Sequence, residues 1–257
     1  MRSWYHTIDL PDGTSTPGFY DTRSSPQFVP WPAELKGGRC LDVGTFDGFW
    51  AFEMERRGAR EVVAVDLADP HALDWPYDTE VTGPRQVAEW GSERERGFRD
   101  LSATLGSQAI WVNQSVYELS PERNGMFDVV FCGALLLHLR DPIRALEAMR
   151  TVCSGSLVLA EAIEPRLELL ARLLPATMIQ SAVDQWYRPN SAGLRALVDK
   201  SGFTVQEMGP RYAIPFGTAP SASNRRPSRI TKVLARGRGG DGVLHRALRA
   251  KPRPRRG

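Results

Sequence analysis

Sulfur is scarce in this chain, and so are long apolar runs. Among 257 residues there are three cysteines, Cys40, Cys132 and Cys153, spaced too widely for a zinc site or a disulfide framework. They read as buried thiols of a reducing compartment, which makes a cytoplasmic location the expectation. No apolar stretch approaches the ~20 residues of a membrane span, so no membrane partner is expected. The segment after Met1-Arg2-Ser3-Trp4-Tyr5-His6 has no apolar core of a signal peptide. The dinucleotide fingerprint G-x-G-x-x-G is missing too: Gly44 is followed by Phe46 two positions on and by Phe49 five on. That gap argues against a nicotinamide oxidoreductase. What remains, 42% hydrophobic and 25% charged, suits an ordinary globular protein of one large domain.

The net charge of +3 conceals an uneven distribution. From Ser221 onward there are twelve Lys/Arg and one acid, Asp241, a net of +11, which leaves residues 1–220 at −8. A basic segment on an acidic body reads either as a nucleic-acid contact or, more plainly, as a solvated extension. Within it Val243–Ala250 has the look of a closing edge strand whose arginines discourage edge pairing. Three parts follow: an aromatic, Pro/Gly-rich cap over 1–38, a core over 39–220 and the basic segment 221–257.

In the core, apolar runs predict strands at Arg39–Val43, Glu61–Asp66, Ala109–Asn113, Phe127–Gly133 and Ser156–Glu161, with weaker ones at Phe203–Met208 and Val243–Ala250. Runs such as Val129-Val130-Phe131-Cys132 suit strands buried on both faces. Between them, Asp47 is placed to cap a first helix ending before Gly58. Asp141-Pro142 starts a second, with Ile143, Leu146 and Met149 as its core stripe, and a third runs from Ser191 to just before Gly202. The charged segment from Asp69 to Gln108 reads as helices with a long excursion. Alternating strands and helices predict a doubly wound α/β fold with a mostly parallel, seven-stranded sheet. Ligands of such folds bind beyond the carboxyl ends of the strands.

The most informative stretch is Leu41-Asp42-Val43-Gly44-Thr45-Phe46-Asp47-Gly48, followed by Asp66 at the tip of the next strand. Gly44 and Gly48 permit a tight turn and close backbone approach. Asp66 is placed to accept hydrogen bonds from two ribose hydroxyls.

This Asp-x-Gly-x-x-x-Gly pattern with its later acid resembles the first motif of class I S-adenosylmethionine-dependent methyltransferases, with Phe46 where that family has a middle glycine. The resemblance implies a Rossmann-like methyltransferase fold with S-adenosyl-L-methionine as cofactor. It implies that Asp42 and the backbone of Gly44, Thr45, Phe46 and Gly48 meet the methionine part, and that Asp66, beside Leu67, holds the ribose. Ser115 and Val116 would meet the adenine, and Gly133 and Ala134 would leave room for the reactive methyl. The opening Trp4–Gly13, the runs CLDVGTFDGFWAFEMERRGAREVVAVDL and GALLLHLRDPIRALEAMRTVC, and WYRPNSAGLRALVDKSGF are similar to the bacterial wobble-uridine (methoxy or carboxymethoxy) tRNA methyltransferases. That group has a longer region ahead of the first motif. Its carboxylated donor would need a cationic clamp; Arg23, Lys36, Arg140 and Arg188 are candidates, and no motif aligns one of them with the role.

A sulfonium methyl is already activated, so such an enzyme mainly aligns a nucleophile, and a hydroxyl acceptor also needs a base. His138 at the mouth is the first candidate, with a loop-fixing histidine as the structural alternative. His6 in the cap is second and Tyr187 third; His71 and His245 read as surface residues. The expected reaction is methyl transfer, at oxygen, to a small molecule or a tRNA wobble uridine bound through the basic segment. The alternatives are an NAD-dependent oxidoreductase and a non-catalytic nucleotide- or RNA-binding protein.

Overall fold

The computed structural model describes residues 4–77, 84–180, 184–219 and 229–254. The cap contributes two short parallel strands, β1 (Trp4–His6) and β2 (Gly18–Tyr20). The core opens with β3 (Arg39–Val43), α1 (Phe49–Arg56), β4 (Glu61–Asp66), α2 (Pro84–Leu105) and β5 (Ile110–Asn113). It continues with α3 (Pro121–Asn124), β6 (Phe127–Gly133), α4 (Pro142–Val152) and β7 (Cys153–Ala162). After α5 (Pro165–Glu168), a small antiparallel pair forms from β8 (Thr177–Ile179) and β9 (Tyr187–Pro189). Then come α6 (Ser191–Lys200), β10 (Phe203–Pro215), α7 (Arg229–Ala235) and β11 (Gly242–Pro252).

The main sheet has seven strands in the order β10-β11-β7-β6-β3-β4-β5. The five from β7 to β5 are parallel, and β11 runs antiparallel to both its neighbours. The chain winds outward from β3 through β4 to β5, then returns to β6 on the other side. The strand order therefore reverses between β3 and β6, and a crevice is expected beyond their carboxyl ends. Each face buries its own core. Leu41, Val43, Val65, Val130, Leu146 and Met149 pack on one side. Cys40, Trp50, Ala64, Val129, Phe131 and Tyr212 pack on the other.

Helix ends follow local chemistry at some points only. The Asp141 carboxylate accepts the Arg144 N–H at 3.0 Å, as a cap should. In α4, however, Ile143 is exposed, and the buried stripe is Pro142, Ala145, Leu146, Met149 and Val152. A strict three-residue spacing drifts off the face of a 3.6-residue helix, and Ile143 falls on the solvent side of that drift. Asp47 does not cap α1 either. Gly48 holds that position with φ +95°, and the Asp47 carboxylate turns to the cap.

The basic segment departs most from expectation. Its strand is not an edge but lies between β10 and β7, and Leu244, Ala247, Leu248 and Ala250 are buried. The sequence shows its arginines but not its two strand partners. Three of the segment's cations are paired with other parts of the fold: Arg249 with Glu207 at 3.0 Å, Lys251 with Glu34, and Arg246 with the Gly209 carbonyl at 3.1 Å, while Arg229, Arg236 and Arg238 are exposed. Arg225, Arg226, Arg255 and Arg256 lie outside the described residues. His245, read as a surface residue, is buried, and burial pushes its pKa down to about 4. His71 is exposed, as expected.

An interior strand and a solvated extension differ in what a truncation costs. Leu248→Ala should destabilise the protein by about 2–5 kcal/mol. Arg249→Ala, which removes a partly exposed pair, should cost less than about 1 kcal/mol. Urea unfolding measures both; equal, small effects would contradict the interior position.

Candidate functional site

At the carboxyl end of β3 the chain makes a tight loop with three residues at positive φ: Gly44 at +76°, Phe46 at +52° and Gly48 at +95°. A Cβ on Gly48 would come within 2.5 Å of the Phe52 ring, so no other residue fits without displacement. The loop is bolted to the tip of β4. Gly44 and Thr45 donate their N–H groups to the Val65 carbonyl at 2.9 and 3.3 Å, and Phe46 donates to the Asp66 carboxylate at 2.8 Å. Phe46 thus keeps a glycine-like conformation that costs an L-residue roughly 1–2 kcal/mol. Its ring is held from both sides, stacked on Tyr5 at 4.7 Å and lying 4.7 Å from the Arg94 guanidinium.

Asp66 is the junction of this corner. Besides Phe46, its carboxylate accepts from the Leu67 N–H at 2.7 Å and from Arg94 at 3.2 Å. Asp42 lies deeper, 1% exposed, and its Oδ2 has no hydrogen-bond partner among the described residues. Burial pushes the Asp42 carboxyl up to about 7, with nearby Asp66 acting in the same direction and His6 against it.

The cap is fastened to the loop by Asp47. One carboxylate oxygen accepts the N–H groups of Tyr5 and His6, each at 2.9 Å, and the other meets His6 Nδ1. This is what Asp47 does instead of capping α1. His6 is thereby buried, its ring stacked on Phe49 at 5.3 Å. Tyr5 is set over Phe46, so the N-terminal segment forms one wall of the crevice.

The other walls come from the neighbouring strand ends. Ser115 accepts the Tyr117 N–H at 3.3 Å and caps a 3-10 turn over Val116–Glu118, and Val116 packs into the core. After β6, a Cβ on Gly133 would lie 2.9 Å from the Trp50 indole nitrogen, and Ala134 takes φ +49°. Beneath them Glu161 accepts the N–H groups of Leu135 and Leu136 at 3.1 and 3.2 Å, and burial pushes its carboxyl up to about 7. Glu161 was legible only as the end of a strand.

His138 follows in the same loop. Its Nδ1 lies 2.5 Å from the Asp184 carbonyl and 3.9 Å from that residue's carboxylate. Burial lowers its pKa, Asp184 opposes the shift, and Arg94 and Arg188 add to it. Tyr187 stands apart from this chemistry. Its hydroxyl donates to the Leu139 carbonyl at 3.1 Å, and burial raises its pKa.

Of the four candidate cations, two reach the mouth. Arg140 lies over Trp186 at 5.2 Å, and Arg188 bonds Gln185 at 2.9 Å while its charge is felt by Tyr5 and His138. Arg23 is occupied at the surface by Asp9 and Asp21, and Lys36 precedes β3, at the far end of that strand. Sequence reasoning missed Arg94, Asp74 and Asp184. Each acts on a partner at least 28 residues away, and nothing in its neighbourhood marks it.

The strain at Phe46 can be read from two variants. Both Phe46→Gly and Phe46→Ala lose the ring contacts, but only glycine relieves the positive φ. Phe46→Gly should therefore be the more stable of the two by about 1 kcal/mol, the reverse of the order at ordinary positions. Chemical denaturation decides; an alanine variant as stable as the glycine variant would contradict the geometry.

Comparison with known proteins agrees with this sheet. A sequence model described as a methyltransferase domain matches residues 22–208. A tRNA U34 carboxymethyltransferase of Pseudomonas aeruginosa is 28% identical over 172 residues, 66% of this chain and 46% of the relative. A ubiquinone biosynthesis O-methyltransferase of Xanthomonas euvesicatoria is 32% identical over 122 residues, 48% of this chain and 41% of the relative. The chain thus spans about half the length of the curated relatives it matches. In fold it is similar to a 1,6-didemethyltoxoflavin-N1-methyltransferase of Burkholderia thailandensis solved with S-adenosylhomocysteine, at a TM-score of 0.51 and 16% identity, covering 85% of this chain and 72% of that one. A putative S-adenosylmethionine-dependent methyltransferase of Listeria monocytogenes gives a TM-score of 0.52 at 12% identity, with 91% and 98% covered. The seven-stranded sheet is that of a class I, Rossmann-like methyltransferase, and the chain belongs to the methyltransferase-domain family.

Proposed function

We propose that this protein transfers a methyl group from S-adenosylmethionine to an oxygen nucleophile, with His138 as general base. Three features of the crevice support the donor. The loop of Gly44, Thr45, Phe46 and Gly48 is packed so closely that a Cβ on Gly44 or Gly48 would meet Leu135 or Phe52, which fixes its backbone at the end of β3, where the donor would meet it. The unpartnered Asp42 Oδ2 is a buried acceptor facing a group that carries an ammonium and a sulfonium. Asp66, with Leu67 beside it, stands at the next strand tip, where a ribose diol would compete with Arg94 for the carboxylate. Ser115 and Val116 would flank the adenine, and Gly133 and Ala134 the methyl.

The observation that carries the base is the bond from His138 to Asp184. A carbonyl can only accept, so Nδ1 holds the proton and Nε2 is left with its lone pair. Desolvation lowers the ring's pKa from the ordinary histidine value, which favours the neutral form. When bound, the donor supplies an activated methyl group. His138 then takes the proton of an acceptor hydroxyl at Nε2, and the Asp184 carboxylate at 3.9 Å balances the resulting imidazolium. His6, the second candidate, has its Nδ1 committed to Asp47 and serves the wall of the site.

A small-molecule acceptor is the first reading, because Arg246, Arg249 and Lys251 of the C-terminal strand bond the Gly209 carbonyl, Glu207 and Glu34, while Arg229, Arg236 and Arg238 of that segment are exposed. A tRNA acceptor is the second reading, favoured by the relative described as a tRNA U34 carboxymethyltransferase. It requires binding that weakens steeply with salt.

The base makes a signed prediction. Protonation inactivates it, so kcat should fall toward acid, with an apparent pKa below the ordinary histidine value of 6.5. His138→Ala should lower kcat by roughly 10²–10⁴-fold and abolish that limb. Both are read from rate profiles on an acceptor found by screening metabolites and tRNA for methylation. An unchanged profile in the variant would leave His138 a loop-fixing residue.

A further inference from the structure

Loops that follow four different strands converge on one aspartate. Asp74 lies in the excursion after β4. Its Oδ2 accepts the Tyr117 hydroxyl, in the turn after β5, at 2.6 Å. The same oxygen accepts the Arg140 N–H, in the loop after β6, at 2.9 Å. Its backbone carbonyl accepts the Trp186 indole N–H, on the strap between β8 and β9, at 2.7 Å. Tyr117 extends the chain by accepting the Asp141 N–H at 3.1 Å. Bonds to an ionised carboxylate are about twice as strong as neutral ones, so this oxygen ties the turn and the loop firmly.

The parts tied together belong to opposite halves of the proposed reaction. Tyr117 stands next to Val116 and two residues from Ser115, on the side assigned to the adenine. Arg140 stands two residues from His138. Trp186 stands two residues from Asp184, which fixes the His138 ring, and the strap is held again by Trp186 N–H to the Leu137 carbonyl at 2.9 Å. The catalytic imidazole and its acceptor are therefore both one short step from Asp74. The ring of His138 also feels Arg94, Arg188 and Asp184, so a small shift of the strap changes its electrostatic surroundings.

We propose that Asp74 is a positioning residue that couples the donor's adenine turn to the His138 loop and strap, so that filling the donor site sets the imidazole for the acceptor. The proposal rests on the roles given above to Ser115, Val116 and His138. An adenine packed on the turn restrains Tyr117. The phenol restrains Asp74, and Asp74 restrains the Arg140 backbone and the Trp186 indole. Such coupling is reciprocal: an ordered His138 loop must in turn favour the bound donor.

The test needs no acceptor. The chain has four histidines, few enough for the His138 ring to be assigned by NMR with a His138→Asn reference. With S-adenosylhomocysteine as the probe, the wild-type His138 resonances should shift on binding. Tyr117→Phe, which removes the phenol's bonds to Asp74 and to the Asp141 N–H and leaves the Asp74–Arg140 bond in place, should still bind the probe while His138 no longer responds. Asp74→Ala should lose the response too, and its His138 pKa should rise toward 6.5 as the loop opens to water; Asp74→Asn, which keeps one side-chain acceptor oxygen, should restore part of the response. If Asp74→Ala does not fold, Tyr117→Phe carries the decision. A His138 signal that responds as in wild type in Tyr117→Phe overturns the coupling. An unaltered kcat in His138→Ala with the coupling intact overturns the base assignment instead, so the two failures are distinct.

Discussion

The hydrogen bond from the Phe46 N–H to the Asp66 carboxylate is the interaction on which the rest of the crevice depends. It holds an aromatic residue in a conformation that a glycine adopts freely, and so lets a loop with one glycine fewer keep its shape. The consequences spread from there. With Phe46 fixed, Asp47 faces the cap and binds β1, and Tyr5 closes over the Phe46 ring. One carboxylate at a strand tip thus orders both the loop and the segment that covers it.

The floor beneath this loop is electrostatically unfinished. Asp42 and Glu161 lie near the carboxyl ends of β3 and β7, with β6 between them, and burial raises both carboxyls to about 7. Glu161 is satisfied by two backbone N–H groups, whereas Asp42 keeps a buried oxygen without a partner among the described residues. A buried acceptor is costly when left unpaired, and a cationic ligand removes that cost. The arrangement favours a positively charged donor over a pyrophosphate-bearing cofactor, which would bring anions to this edge.

Much of this was legible in the sequence where chemistry is local. The strands β3, β4 and β6 begin and end where expected, because parallel strands buried on both faces read as short, mostly apolar runs. Asp141 before Pro142 marked a helix start for the same local reason. Long-range pairing was not legible. The run from Val243 to Ala250 looks like an edge because its arginines look exposed, yet Arg249 and the following Lys251 find Glu207 and Glu34, 42 and 217 residues away in sequence. Asp47 has the residue type and position of a helix cap, and only the folded cap shows that three donors from Tyr5 and His6 claim it first. Arg94 and Asp74 carry no local signature at all.

The central claim is that this corner binds a sulfonium nucleoside through Asp66. Equilibrium titration of wild type and Asp66→Ala with S-adenosylhomocysteine and with NAD tests it most directly. The account predicts binding of S-adenosylhomocysteine but not NAD, weakened in the variant by about 1–3 kcal/mol as charge-assisted hydrogen bonds are lost. Binding of NAD alone, or equal affinity in both proteins, would contradict it.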